Sequence, residues 1–344
     1  MKLQKIIERH WYSKIDPFLF VLLFPFSIIY ECITSIRKFL FTIKILPSKK
    51  LPVPIVIIGN ITVGGAGKTP LTKHIARQLT ERGFNVGIIL RGYKSETSAT
   101  TIVTKKHSSA QVGDEALIYA QAGFRVAIGS KRGDAAKLLL ETYPETLIIL
   151  ADDGMQHYYL KRDMEVCVVD SSRMFGNQQI LPLGPLRENM DRLKKVDAIV
   201  VNGQYNQVKL AETLAEYSTN IYQQNLEFID LYNPITKESK SASEFKNTPI
   251  CALAGIGNPG RFYDYLEKLG LDIKAVKSFP DHHKYVKDDI ISKIDTIVTT
   301  EKDYTKIAEF KQKNIWIARV EASLNSDKLL NQIINLIKKD KNEQ

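Results

Sequence analysis

The chain has 344 residues, 44% of them hydrophobic and 25% charged, and Lys+Arg 48 against Asp+Glu 38 gives a formal charge of +10. This balance is globular and excludes global disorder and a collagen-like repeat. Three cysteines (Cys32, Cys167 and Cys251) without a C-x-x-C pair support neither a disulfide framework nor a zinc cluster, and they suit a reducing compartment.

The first fifty residues carry +6 of the surplus. Their basic residues are interleaved with apolar ones, which points to an anionic membrane surface and away from a nucleic-acid groove. From Pro17 to Tyr30 the text reads PFLFVLLFPFSIIY, with no charge. A spanning helix needs about 20 apolar residues, so this run alone is short. No small-residue cleavage site follows, and the apolar character resumes after Glu31 with Ile33, Ile36, Phe39, Leu40 and Ile43 at helical spacing. A signal peptide is therefore not expected. Residues 1–48 are read as helical, kinked near Pro25, and lying on or dipping into a bilayer. The alternative is a long amphipathic helix packed on the protein's own core. Aromatic and basic residues together on so apolar a stretch favour the membrane.

After Leu51 the pattern changes. Strand-like runs at 53–60, 87–90, 124–128, 146–151, 166–170 and 198–202 alternate with helical patterns at 69–82, 113–121 and 131–141. The alternation predicts an α/β fold with a doubly wound, mostly parallel sheet. Residues 226–248 turn polar and read as a linker or an exposed hairpin. Beyond them come strands at 250–256, 271–279, 295–303 and 315–320, with helices at 259–268 and near 326–339. The expected parse is a membrane-associated segment at 1–50, a phosphate-loop domain at 51–225 and a smaller α/β lobe at 226–344 that closes over the site.

Residues 62–69 read Thr-Val-Gly-Gly-Ala-Gly-Lys-Thr. This is G-x-x-x-x-G-K-[ST] with Thr62 in place of the first glycine. Backbone N–H groups of Thr62, Val63, Gly64, Gly65, Ala66 and Gly67 can converge on phosphate oxygens. Lys68 reaches the β- and γ-phosphates, and the Thr69 hydroxyl is a Mg²⁺ ligand. A buried strand before and a helix after give the right setting. The run LIILADDGMQH ends a second strand in Asp152 and Asp153, which are expected to share the metal with Thr69. ATP and Mg²⁺ follow as cofactors. The [NT]-K-x-D tetrad of GTPases is absent, because the lysine of Thr300-Glu301-Lys302-Asp303 comes one place late. Residue 63 is Val, where partitioning ATPases carry a lysine. A phosphotransferase is favoured over a membrane-tethered NTPase switch, the other class that a phosphate loop allows. Gly255-Ile256-Gly257-Asn258-Pro259-Gly260 matches a dinucleotide fingerprint, but the next strand ends without an acid, so a tight turn is expected there.

Eight segments recur in one order: IGNITVGGAGKTP (58–70), LRGY (90–93), VGDEA (112–116), LADDGMQH (150–157), LPLGPLRE (181–188), GIGNPGRF (255–262), FPDHH (279–283) and TTEKD (299–303). With them the sequence resembles the tetraacyldisaccharide 4′-kinase family of lipid A biosynthesis. The resemblance implies transfer of the ATP γ-phosphate to the 4′-hydroxyl of an acylated glucosamine disaccharide 1-phosphate. It also implies work at the cytoplasmic face of the bacterial inner membrane, with the N-terminal helix in the bilayer. On it, Asp114 matches the family's catalytic Asp and His282 its partner, with the proton acceptor left open between them. Lys68 completes the expected catalytic set. Tyr93, Glu115, Gln156, His157, Arg187 and Glu301 are expected at or just behind the substrate, with Arg91 and Lys302 near by. Nothing in the sequence calls for nucleic acid or for an obligate protein partner.

Overall fold

The computed structural model describes residues 2–93, 95–97, 99–204 and 208–343. Its first elements are α1 (Lys2–Tyr12) and α2 (Pro17–Thr42). Asp16 caps α2 by accepting from the Phe18 and Leu19 N–H groups, and Pro17 takes the first helical position, where no N–H is needed. The helix continues through Pro25, and the break in the helical segment comes at 13–16, where Asp16 starts the second helix. Helix ends at Thr42 rather than at residue 48.

Then follow β1 (Ile55–Gly59), α3 (Lys68–Glu81), β2 (Val86–Leu90), β3 (Thr101–Val103), α4 (Ser109–Val112), α5 (Asp114–Gln121), β4 (Arg125–Ile128), α6 (Arg132–Thr142), β5 (Ile148–Asp152), β6 (Met164–Asp170), β7 (Ala198–Asn202) and α7 (Val208–Ala215). The remainder is β8 (Ile221–Tyr232), β9 (Ser239–Lys240), β10 (Ile250–Ala254), α8 (Pro259–Lys268), β11 (Ile273–Ser278), β12 (Thr296–Thr300), α9 (Glu301–Ile307), β13 (Ile315–Leu324) and α10 (Lys328–Glu343).

These strands form one 13-stranded sheet in the order β11-β10-β12-β13-β8-β7-β6-β1-β5-β2-β4-β3, with β9 paired to β8. Pairing is parallel except at β13–β8, β3–β4 and β8–β9. β1, β5, β6 and β7 are buried at every position, as parallel strands covered on both faces must be. Alternate residues feed two cores. Val56, Ile58, Ile88 and Leu150 meet Leu71, Ile75 and Leu79 of α3 on one face. Ile55, Ile57, Ile89 and Ile149 meet Ala135, Ala136 and Leu139 of α6 on the other. Two smaller clusters flank β10, β12 and β13 in the same way.

The polar stretch read as a linker is in part a strand. Residues 226–232 complete β8, which alternates between half-buried and exposed positions while pairing with β13. Its polar text reflects one solvent-facing side. A division at 225/226 falls inside this strand. Leu329, Leu330, Ile333 and Ile337 of α10 pack into the core of the phosphate-loop half, so the end of the chain returns to where the sheet began.

Candidate active site

The site lies where β1, β5 and β7 end. At the end of β1, Asn60 is fully buried. Its amide donates to Thr62 O at 2.9 Å, and its Oδ1 accepts from Lys68 Nζ at 3.1 Å. Gly67 has φ +93°, and a Cβ there would collide with Asn202, which donates from Nδ2 to Ala66 O at 3.1 Å. Gln224 donates to Gly67 O at 3.3 Å. The loop from Thr62 to Thr69 is thus shaped from outside by two buried amides. Val63 N donates to Pro185 O and Arg187 N to Ile61 O, which lays the 181–188 segment along the loop.

At the end of β5 the two aspartates separate. Asp153 is left-handed at φ +49° and binds Lys68 at 3.3 Å and Arg187 at 3.0 Å. Burial opposes its ionisation, but Lys68 and Arg187 hold its carboxyl well below the usual carboxylate range. Asp152 points inward. Its Oδ2 accepts from Tyr119 OH at 2.7 Å, and its Oδ1 is buried without a hydrogen-bond partner. Burial and the neighbouring Glu115 charge push its pKa up to about 7. Tyr119 OH also reaches Thr69 O at 3.4 Å, and an orphaned carboxylate oxygen this close to the phosphate loop fits a hard divalent cation. Such ions commonly take one or two carboxylates plus substrate phosphates, and among the described residues no cluster of three or more His, Cys, Asp or Glu forms a separate cage.

Across the cleft stands a third group. His282, left-handed at φ +58°, follows β11 and places Nδ1 3.1 Å from Asp114 Oδ2 at the start of α5. Burial raises the Asp114 carboxyl, but the His282 hydrogen bond and the Lys302 ammonium outweigh it and bring its pKa down to about 2. The Tyr93 ring meets the imidazole edge-on at 5.0 Å. A Cβ at Gly257 would lie 2.9 Å from Gly65 N, so the glycine turn lies directly on the phosphate loop. Arg261, from the same segment, reaches Asp170 at 3.3 Å and Asn202 at 3.4 Å.

The other expected residues surround this core. Gln156 donates to Glu188 at 2.8 Å and to Asn60 O at 3.3 Å. Arg187 bridges Asp153 and Gln156. The His157 pKa falls to about 3 through burial and the nearby Arg132 and Arg91 charges. Glu301 binds Lys73 of α3 at 3.0 Å, and Glu115 binds Lys302 at 3.5 Å. Sequence reasoning missed Asn60, Asn202, Gln224 and Glu188. Asn60 and Asn202 carried a signal, as each closes a buried strand at the sheet's ligand-binding end.

Helix α2 docks beside the same loop. Ser27 Oγ donates to Ile180 O at 2.8 Å, and Lys38 lies 3.8 Å from Glu188. Trp11 of α1 donates to Pro182 O at 3.0 Å. The opposite side of α2 exposes Phe18, Val21, Ile29, Ile33, Ile36 and Phe39, each more than half accessible.

A family model described as tetraacyldisaccharide-1-P 4′-kinase matches residues 19–338. The chain belongs to this family. It is 38% identical over 339 residues to the tetraacyldisaccharide 4′-kinase of Methylobacillus flagellatus, covering 97% of each chain. It is 39% identical over 328 residues to that of Chromobacterium violaceum, covering 94% of this chain and 95% of the other. Among solved structures it is similar to LpxK from Aquifex aeolicus, described as an apo form in complex with ATP. That match has a TM-score of 0.79 and 30% identity, and covers 93% of this chain and 99% of that one. The fold is therefore shared with that structure over nearly the whole length of both chains.

Proposed function

We propose that Lys68, Asp114 and His282 carry out the reaction of this family, in which the γ-phosphate of ATP passes to the 4′-hydroxyl of a tetraacylated glucosamine disaccharide 1-phosphate. The chain is an ATP-dependent lipid kinase. The observation that carries the residue assignment is the Asp114–His282 hydrogen bond, which joins α5 to the loop after β11, in the half of the sheet whose Gly257 turn lies on the phosphate loop.

ATP lies with its phosphates along the N–H groups of Thr62 to Thr69, at the N-terminus of α3. Lys68 leaves Asp153 and Asn60 for the β- and γ-phosphate oxygens and neutralises charge as it develops there. Thr69 and Asp152 would hold Mg²⁺, which when bound would supply neutralising charge to the phosphate oxygens, as in other phosphoryl-transfer sites. Asp153 keeps Arg187 aimed at the same space. The acceptor hydroxyl approaches Asp114, whose carboxylate is ionised at any physiological pH and receives the proton. The Nδ1–H of His282 fixes its orientation. A weak base suffices, because phosphoryl transfer is loose and the proton leaves late. Tyr93, Gln156 and His157 line the approach of the sugar, and Glu115 and Glu301 anchor the cations that hold α9 in place.

The lipid substrate also explains α2. A face of large apolar residues left open to solvent is unstable in water and stable in a bilayer. At 26 residues α2 is long enough to cross a membrane, yet its other face is fastened to the 180–188 segment beside the active site. It therefore lies in the interface, on the cytoplasmic side of the inner membrane, where ATP is available. The test is transfer of label from γ-labelled ATP to purified tetraacyldisaccharide 1-phosphate. Label in the lipid is expected. Label released only as free phosphate would refute the reading.

A further inference from the structure

Five charged or titratable groups converge at the start of α9, and the reaction as described uses only two of them. Lys302 is at the centre. Its Nζ lies 3.1 Å from Asp281 Oδ1, 3.5 Å from Glu115 Oε1, 3.8 Å from Asp114 Oδ2 and 3.5 Å from His282 Nε2. Asp114 and Glu115 come from α5, Asp281 and His282 from the loop after β11, and Lys302 from α9. Tyr93 faces the imidazole edge-on, and Lys306 adds a second positive charge felt by Asp114.

We propose that Lys302 is a positioning residue for phosphoryl transfer, and that it fixes the Asp114–His282 pair in one protonation state. The argument is one of donors and acceptors. An ammonium can only donate. The imidazole nitrogen facing it, Nε2, must therefore present its lone pair, which leaves the imidazole neutral and its proton on Nδ1. That proton is donated to Asp114 Oδ2 at 3.1 Å, so the carboxylate stays an unprotonated acceptor. Among the described residues, the one carboxylate oxygen that competes for Nε2 is Asp281 Oδ2, at 3.8 Å. That is beyond hydrogen-bond reach, and Lys302 holds the other oxygen of the same carboxylate. Without the ammonium, the carboxylates of Asp114 and Asp281 would face His282 and that of Glu115 would lose its partner, with Glu96, Lys284 and Lys306 the other charged groups near by among the described residues. The charge that keeps Nε2 a bare acceptor would be gone, protonation of Nε2 would be favoured, and the imidazolium would draw charge away from Asp114. The low pKa of Asp114 and the raised pKa of Lys302 describe the same arrangement, although burial opposes both charges.

This inference rests on the assignment of Asp114 as proton acceptor, and its experiment separates the two. Lys302→Met and Lys302→Gln remove the charge with different packing demands, so that one misfolded variant does not end the test. Lys302→Arg restores the charge. Asp114→Asn is measured in parallel. The readouts are kcat against pH, the KM for ATP, and the titration of the His282 imidazole by ¹³C-histidine NMR. The expected result for the neutral variants is a kcat about ten-fold lower at neutral pH. Their acid limb moves up by about one pH unit and the imidazole titration moves up in parallel, while the KM for ATP is unchanged. Lys302→Arg keeps the wild-type limb. A neutral variant with wild-type kcat and pH profile overturns the proposal. So does a loss that is equal at every pH with an unmoved imidazole titration, which would make Lys302 structural only. Wild-type activity in Asp114→Asn would instead overturn the site assignment beneath it.

Discussion

The phosphate loop and the junction at the start of α9 are assembled in opposite ways. Asn60 to Thr69 is one stretch of chain, and its lysine, hydroxyl and N–H groups come together because a strand must turn into a helix there. The junction joins Asp114 to His282, 168 positions apart, and its geometry exists only when the two halves of the sheet meet. Local assembly makes the loop robust. Non-local assembly makes the junction a place where closure and chemistry are tied together, because Glu301 and Lys302 at the start of α9 fasten α3 and α5 at once. The sharpest way to break this comparison is to remove one group from each. Lys68→Ala should lower kcat by about two to three orders of magnitude by removing transition-state charge stabilisation. Asp114→Asn should lower kcat by about 10²-fold while leaving the KM for ATP near its wild-type value. Both are read by label transfer to lipid across an ATP titration. If Asp114→Asn instead raised the KM for ATP as strongly as Lys68→Ala, the junction would belong to the nucleotide and the contrast would collapse.

A smaller effect probes where the two regions touch. A methyl group on Gly257 would come within 2.9 Å of the Gly65 backbone N–H. Both partners are backbone, so neither can swing aside. Gly257→Ala should hold the halves apart and worsen kcat and the KM for ATP together, by about ten-fold. Unchanged constants would mean that the turn is not held against the loop during turnover.

The same contrast governs what the sequence disclosed. The alternating strands, the phosphate loop and Asp152–Asp153 were legible because each is a local pattern with a period or a spacing. Asp114 and His282 had no such signal, and only the family resemblance singled them out. Nothing in the sequence marks Lys302 beyond its nearness to the other motifs. Its four partners come from elements that periodicity cannot bring together. The strand status of 226–232 was hidden because one exposed side fills it with polar residues. The role of Gly255 to Gly260 was hidden because a dinucleotide fingerprint and a close backbone approach require the same glycines.

A pH effect distinguishes the two aspartates that a sequence reading treats alike. Burial and Glu115 raise the Asp152 pKa from 3.8 to about 7. The folded state then holds this proton to higher pH than the unfolded state does. Stability of the ligand-free protein therefore falls as pH rises from about 4 to 7, with the full penalty present above 7. Asp152→Asn should remove that penalty. The variant's melting temperature should exceed wild type at pH 8 by several degrees, and the gain should shrink toward pH 4. Asp153, held by Lys68 and Arg187, has the opposite sign, and Asp153→Asn should lower the melting temperature at pH 8. Equal shifts in both variants would contradict the separation of roles.

The least effect on chemistry is expected from the face of α2 that no other element covers. Phe18, Val21, Ile29 and Ile36 lie on one arc of the helix and are 76%, 74%, 56% and 60% exposed. The buried Ser27 lies on the other arc, hydrogen-bonded to Ile180 O. Replacing those four with serine leaves the docked arc untouched, so the 180–188 segment and Arg187 should stay in place. Sedimentation with vesicles containing anionic lipid should fall sharply, since each buried apolar side chain contributes about 1.5–3 kcal/mol. Turnover of detergent-dispersed substrate, by contrast, should stay within about two-fold of wild type, because no group at the phosphate loop or the junction has changed. Vesicle binding equal to wild type would show that the exposed arc meets something other than a bilayer. A collapse of turnover in detergent would show that α2 supports the active site through more than its docked face.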